Sequence, residues 1–360
     1  MGTAILFIVV ISMLVLVHEF GHFWVARRAG MKVEEFGIGF PPAIWSTTRH
    51  GTKYSINLIL FGGFVRIYGE DGESKNAVGS FGHSTFLKKL STLLAGVVMN
   101  ILLAVILLII GNSIGLRVGV FDEASTSKAQ DLRVNILEVS KDSPAQKAGL
   151  ESLDQILGFR SGSALVSISS PEDVQKYVFP RAGQKITIVL QRGDQQIDAP
   201  VTLRRPASAQ EGPLGISLAL TGVYRYSWYE SIWRGVSDTG RLLWGTAVGY
   251  GSIIVSFFKT GTSDAQVTGP IGIATLTNQA ARVGFSYLLQ FIAMISVNLA
   301  ILNVVPFPAL DGGRALMIIV EKIRGKALRE STERLINALG FAILILLMLA
   351  VTARDVVQFF

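Results

Sequence analysis

The chain is expected to be a polytopic α-helical membrane protein with about four transmembrane helices, a small membrane-associated β-element and one inserted extracytoplasmic α/β domain. Three observations carry that expectation. Mean hydropathy is +0.46 and only 16% of the 360 residues are charged, too apolar a balance for an ordinary soluble protein. Long apolar runs occupy about Thr3–Ala26, Leu90–Ile110, Phe285–Val305 and Leu335–Val351. Between the second and third, the stretch from Gly111 to about Pro206 has the composition of a soluble domain, with short β-rich runs separated by turns. The expected units are therefore 1–112 and 285–360 for the membrane core, 113–206 for the inserted domain and 207–284 for a linker.

The first run sets the chemistry. Its only titratable side chains are His18, Glu19 and His22, in His18-Glu-Phe-Gly-His22. On a helix, positions 18 and 22 lie one turn apart on one face, so two imidazoles can reach one metal ion while Glu19 stays free to act as a base. A charged residue at mid-helix costs roughly 2.5–3.5 kcal/mol on insertion scales, a burden that points to function. Satisfied core histidines, or a proton or ion relay, are the competing explanations. The run also mimics a signal peptide, but it lacks a basic n-region and a convincing cleavage site, and is expected to be retained.

Composition narrows the classes further. The net charge of +7 does not imply nucleic acid, because the Lys and Arg residues cluster beside apolar runs, where they orient the chain in a bilayer. With no cysteine, disulfides and thiolate metal sites are excluded. Only His18, His22, His50 and His83 supply imidazoles.

In order along the chain, Gly30–Gly51 is expected to be a Gly/Pro-rich loop. Tyr54–Phe61 and Phe64–Tyr68 are expected as two short strands turning at Gly62-Gly63, lying at or in the membrane surface. Gly69–Ser80 is expected to be a loop. The second span carries Gly96 and Asn100 one turn apart, suited to close helix packing with an interhelical hydrogen bond or to a role beside the metal. In the inserted domain, a strand, a Ser143-Pro-Ala-Gln-Lys-Ala-Gly-Leu150 turn-helix, a strand, a helix near Pro171–Tyr177 and further strands resemble a PDZ domain of the bacterial protease type. Leu153-Asp154 stands where that pattern usually has Gly-Asp. Leu242–Phe258 is expected to lie in the interface as an amphipathic helix, and Gly261–Arg282 to be loop-like. Pro306 and Pro308 break the third span.

A catalytic zinc usually has three protein ligands and one open position. Asp311, in Asn303-Val-Val-Pro-Phe-Pro-Ala-Leu-Asp311-Gly-Gly313, is the distinctive third candidate, being acidic in apolar sequence; a helix-capping role is its alternative. Depth supports the pairing. His18 lies about 22 Å along its span at 1.5 Å per residue, and Asp311 follows the end of its own. The two meet only if the spans are parallel, which four spans provide and a fifth at Leu242–Phe258 would not. Arg27-Arg28, Lys88-Lys89 and the cluster from Arg314 to Arg334 then make the shared face basic, hence cytoplasmic.

These residues together resemble the site-2 protease family of intramembrane zinc metalloproteases, within it the bacterial regulator-of-sigma-E protease type, over nearly the whole chain. The resemblance rests on HEFGH, FGIGFPP, GGFVRIYGE, SFGHSTFLKKLSTLLAGVVMN, VTGPIGI and NVVPFPALDGG, with room for a single PDZ domain. It implies Zn2+ held by His18, His22 and Asp311, with Glu19 as general base. It also implies that Asn303 holds the substrate backbone and that Gly96 and Asn100 belong to the substrate-binding set; Pro306 and Pro308 are placed there because they leave irregular backbone beside Asp311. The expected activity is endoproteolysis of single-span membrane proteins or peptides, of the anti-sigma-factor or signal-peptide-remnant class, in the inner (cytoplasmic) membrane. The expected partners are that substrate, the lipid bilayer and a peptide ligand of the PDZ domain. A metal or proton transporter and a membrane-anchored PDZ scaffold are the alternatives.

Overall fold

Helix α1 (Gly2–Arg28) is apolar around its whole circumference apart from His18, Glu19, His22 and the terminal Arg27 and Arg28, the pattern of a helix surrounded by apolar material rather than half in water. The computed structural model describes residues 2–70, 77–120, 127, 129–162, 164–205, 212–260, 268–326 and 328–359. Among the described residues, four helices are long and apolar enough to cross a membrane: α1, α2 (Phe86–Ile114), α7 (Phe285–Val304) and α9 (Glu330–Phe359). The chain forms two compact units, 1–109 with 232–278 and 291–360, and 110–231 with 279–290.

In the first unit, the stretch expected as a loop over Gly30–Gly51 is instead mostly strand β1 (Val33–Arg49), paired antiparallel with β2 (Thr52–Ile67). The turn is therefore not Gly62-Gly63, which lies inside β2. It is His50-Gly51, flanked by the pair Arg49 and Thr52 and carrying φ of 50° and 76°, the backbone that two-residue hairpins favour. Register shifts give Phe36 and Gly37 partners on both sides: Val65 and Phe64 on one, Tyr54 and Ser55 on the other. The glycines that suggested a loop serve close packing instead. A Cβ at Gly39 would strike the Ile59 carbonyl, and one at Gly37 would strike the Phe64 ring. The hairpin presents Phe40, Ile44, Trp45, Leu58 and Ile59 to the outside. Of the loop expected over 69–80, residues 71–76 lie outside the described residues, and 69–70 and 77–80 are turns and irregular backbone.

A further expectation changes. Most of 261–282 is not loop: Pro270–Val283 is helix α6, begun by proline at its first turn and by the Asp355 carboxylate of α9, which accepts from Gly269 N (3.2 Å) and Gly272 N (2.9 Å). Val267 of the VTGPIGI run lies outside the described residues. Helix α5 (Trp228–Thr260) contains the stretch expected to lie in the interface. A Cβ at its Gly235 would meet Ile109 and the Val105 carbonyl of α2, and its Tyr250 Oη donates to Asn298 Oδ1 at 3.0 Å. Asn298 is 13 residues into α7, about 20 Å along its axis. Tyr250 thus meets α7 about two-thirds of the way along its length.

Among the described residues of the second unit, seven strands form one sheet in the order β3-β9-β4-β5-β7-β8, with β6 on β5. They are β3 (Leu116–Gly119), β4 (Gln130–Val139), β5 (Gln155–Ser161), β6 (Ala164–Ser167), β7 (Lys185–Arg192), β8 (Gln195–Thr202) and β9 (Ile216–Tyr224). The sheet thus extends past the expected boundary at 206, because β9 inserts between β3 and β4. Period-two alternation, with an irregularity between Ile156 and Gly158 that lets Phe159 join the same face, sends Ile136, Ile156, Phe159, Ile188, Leu190 and Val201 into a core closed by Val174 and Val178 of helix α4 (Pro171–Val178). Ser143 caps the short helix α3 (Pro144–Lys147), accepting from Gln146 N.

The Leu153-Asp154 departure is legible in the backbone. Leu153 has φ of 73°, the left-handed region where glycine is at ease, while the buried Asp154 takes a bidentate bond from Arg192 (2.7 and 2.6 Å). That conformation costs a non-glycine residue about 1–2 kcal/mol, offset in part by the half-buried leucine side chain. Leu153→Gly is expected to stabilise the full chain by up to about 1 kcal/mol, read as a higher melting midpoint; a lower midpoint would mean that the side-chain packing outweighs the strain.

Candidate metal centre and active site

The face of α1 that carries His18 and His22 packs on α2 through glycine. A Cβ at Gly96 would fall 2.6 Å from His18 Cε1 and 2.7 Å from His18 Nε2, and closer still to His22 Nε2. Likewise a Cβ at Gly21 would strike the Ala95 carbonyl. Nothing larger than glycine at 96 leaves the imidazoles where they are.

Asp311 arrives from the other end of the chain. Helix α7 stops at Val304, and Pro306 and Pro308 keep the following segment irregular, with Ala309 at φ of 72°. Helix α8 (Asp311–Arg324) then starts, its first turn pressed onto that segment because Gly312 and Gly313 have no side chain. A Cβ at either would collide with the carbonyls of Val304 or Phe307. Asp311 is held between the two.

Three ligand atoms converge. His18 Nε2 lies 2.9 Å and His22 Nε2 3.3 Å from Asp311 Oδ2, and the two nitrogens are 3.1 Å apart. Tetrahedral ligands at about 2.0–2.1 Å from a zinc ion stand about 3.3 Å from one another, so the set is already near the required spacing. Among the described residues this is the one cluster of three or more such groups. The outer nitrogens are also set for metal binding. His22 Nδ1 is 2.8 Å from the Thr92 carbonyl, which only a protonated Nδ1 satisfies, leaving Nε2 as a lone pair. Asn100 lies 3.4 Å from His18 Nδ1 through Nδ2, while its buried Oδ1 has no partner. Turning the amide over, an orientation that diffraction seldom distinguishes, gives Oδ1 the Nδ1 proton and frees Nε2 of His18 in the same way. Ser296 of α7 donates to the Asn100 carbonyl at 2.8 Å.

Glu19 is beside this cluster without joining it. Its Oε2 accepts from Val65 N of β2 at 3.1 Å, so the edge of the sheet holds the carboxylate. The same edge is tied to α1 by Ser12, which donates to the Leu60 carbonyl (3.0 Å) and accepts from Gly62 N (3.1 Å).

The family model for "Peptidase family M50" matches residues 6–347. The chain belongs to peptidase family M50. Among relatives of this M50 chain, the zinc metalloprotease RasP of Oceanobacillus iheyensis is 30% identical over 444 aligned residues, covering all of both chains. A candidate zinc metalloprotease of Clostridium acetobutylicum is 31% identical over 352 residues, 97% of this chain and 96% of its own. One of Agrobacterium fabrum is 28% identical over 381 residues, covering 99% and 96%.

Within this M50 chain the structure brings His18, Glu19, His22 and Asp311 together. Gly96 and Asn100, expected with the substrate-binding set, stand against the imidazoles. Asn303, in the last turn of α7, is half-buried and makes no side-chain hydrogen bond among the described residues. His50 sits in the hairpin turn and His83 before α2, both outside the cluster. Thr92 and Val65 act through backbone groups and so carry no signal in the residue types. Arg314 could have been found: one turn after Asp311, it donates to Glu70 Oε1 (2.5 Å) and to the Glu70 carbonyl (3.0 Å), tying α8 to the end of β2. Arg314→Met is expected to destabilise the protein by about 1–3 kcal/mol and to loosen zinc, with Arg314→Lys recovering part; thermal melting with metal content checks both.

Proposed function

We propose that this chain is an intramembrane zinc metalloendopeptidase of the regulator-of-sigma-E protease type, cleaving single-span membrane proteins or leftover signal peptides near the cytoplasmic face. One observation carries the reading: two imidazoles and a carboxylate from opposite ends of the chain converge at zinc-ligand spacing beside a fourth group, Glu19, that is not a ligand. His18, His22 and Asp311 would hold the metal. Bound zinc lowers the pKa of a water toward about 7 and polarises a carbonyl. Glu19 takes the proton of the attacking water and delivers it to the leaving amine, with Val65 N steering the carboxylate. A relay of protons or metal ions would need polar groups leading away from the site, but from Ala4 to Val17 of α1 the sole polar side chain is Ser12, which is already committed to the sheet.

A helical substrate hides its peptide bonds and must be extended before attack. The β1–β2 sheet and the irregular Val305–Leu310 segment, with Asn303, Pro306 and Pro308, are suited to hold such a strand. An apolar groove of about 790 Å³ between α1 and the sheet, lined by Ile5, Val9, Leu16, Phe20, Ile38 and Leu60, suits its flanking apolar residues. In the inserted domain, among the described residues, β3 and Val120 cover the Leu220–Tyr224 end of β9 and no strand pairs Ile216–Ala219 on that side. A cavity of about 470 Å³ separates it from α4. That arrangement supports the PDZ reading and strand addition of a peptide there, on the extracytoplasmic side, as a filter for substrates already trimmed.

The test is incubation of the purified protein with a panel of single-span substrates, with and without a zinc chelator, products being read by mass. The expectation is cleavage inside a membrane segment that stops with the chelator and returns with zinc. Cleavage indifferent to chelation would overturn the proposal.

A further inference from the structure

In the second unit, β3, β4, β5, β7 and the start of α7 enclose a cavity of about 160 Å³ unrelated to the metal cluster or to the α4–β9 groove. Its walls include Arg117, Arg133, Asn135, Gln155, Gln191 and Tyr287. Space for about five waters is lined mainly by groups that make hydrogen bonds, with Leu153, Val223 and Val283 as its apolar part.

The charge there does not balance. Arg117, whose side chain is only 6% exposed, contacts Asp131 Oδ2 through Nη2 and the Asp131 carbonyl through Nη1 (2.6 Å). Arg133 bonds the same carboxylate through Nε (3.0 Å) and Nη2 (2.6 Å). Burial opposes ionisation of Asp131, but the hydrogen bond from Arg133 and the charge of Arg117 hold its carboxyl below the ordinary value. One negative charge thus serves two guanidiniums, a net positive charge shared by the buried Arg117 and the half-exposed Arg133. Arg117 Nε and Arg133 Nη1 have no partner among the described residues. A buried guanidinium left under-compensated is costly, and an anion is what relieves it.

Position narrows the anion. Arg117 follows α2 by three residues, and Tyr287 is the third residue of α7; both helices are candidate spans. Arg225 donates to the Ile114 carbonyl at the end of α2 (3.2 and 2.9 Å), and Tyr226 N to the Asn112 carbonyl (3.1 Å). This sets Trp228 and Tyr229, 73% and 61% exposed, at that same level. Exposed Trp and Tyr at the ends of apolar helices mark the headgroup layer of a bilayer.

We propose that this cavity is a phosphate site for a membrane lipid headgroup, with Arg117 and Arg133 as its cationic walls and Gln155 as a further donor. It rests on α2 and α7 being spans and not on the protease reading, so its readout is lipid retention rather than cleavage.

The test uses the full chain in detergent, by native mass spectrometry and thermal melting, with phosphatidylglycerol, inorganic phosphate or diacylglycerol added. The wild type is expected to retain one phospholipid per chain and to melt higher with phosphatidylglycerol than with diacylglycerol. Arg133→Gln, at a half-exposed position, and Gln155→Leu are each expected to weaken retention about tenfold or more while the protein stays folded. Phosphatidylglycerol stabilising wild type and both variants equally would overturn the site. Stabilisation by inorganic phosphate equal to that by phosphatidylglycerol, with no lipid retained, would overturn the lipid assignment.

Discussion

Glu19→Gln keeps its zinc and loses cleavage. Glutamine fills the same volume, and its side-chain oxygen can still accept from Val65 N, so the contact that fixes position 19 survives. None of the three convergent ligand atoms belongs to this residue, and metal content is expected to be unchanged. What disappears is a basic oxygen able to carry a proton from water to the departing amine. General acid–base groups supply about 10²–10⁴-fold in rate, and a loss of that size is expected in kcat with KM little altered. Zinc by elemental analysis alongside single-turnover cleavage separates the two effects. A variant that lost metal and activity together would mean that Glu19 holds the site rather than serving the reaction.

Gly96→Ala is expected to be nearly as damaging, by another route. A methyl group at 96 would overlap both imidazoles, and neither can retreat, since His22 is tied to the Thr92 carbonyl and His18 abuts Asn100. Disturbing groups that orient metal ligands typically costs about 10–100-fold in affinity, and a direct clash with two ligands should reach at least that range. Gly249→Ala on α5 is the control, because nothing lies within 4 Å of the added carbon; helix propensity even favours it slightly. Competition against a zinc chelator reads both. Equal affinities in the two variants would mean that α1 and α2 can separate without cost.

Much of this was legible in the residues, for reasons of expense. Charged or metal-binding groups inside apolar runs are costly, so His18, Glu19, His22 and Asp311 stand out without a structure. The apolar runs themselves are long enough that period and length agree. The β1 strand was hidden because Gly37, Gly39 and the Pro41-Pro42 pair look like loop punctuation, whereas the first two are there so that another strand or ring can come close. Helix α6 was hidden by its opening Gly-Pro-Ile-Gly, whose free amides are satisfied from Asp355, 86 residues away from Gly269. Strand β9 was missed because pairing between β3 and β4 is a long-range choice that local pattern does not encode. Gly96 was visible as a small residue in a span, but what it makes room for could be known only once α1 was laid against it. The backbone carbonyl of Thr92 and amide of Val65 could not have been found at all, since any side chain supplies them.

The account turns on a single zinc shared between α1 and the first turn of α8. Zinc stoichiometry in purified Asp311→Asn, with X-ray absorption at the zinc edge of the wild type, tests this most directly. The expected result is one zinc per wild-type chain, bound by two imidazoles and oxygen ligands, and a variant that leaves purification nearly metal-free. A variant that keeps a full equivalent of zinc in an unchanged absorption spectrum would contradict it.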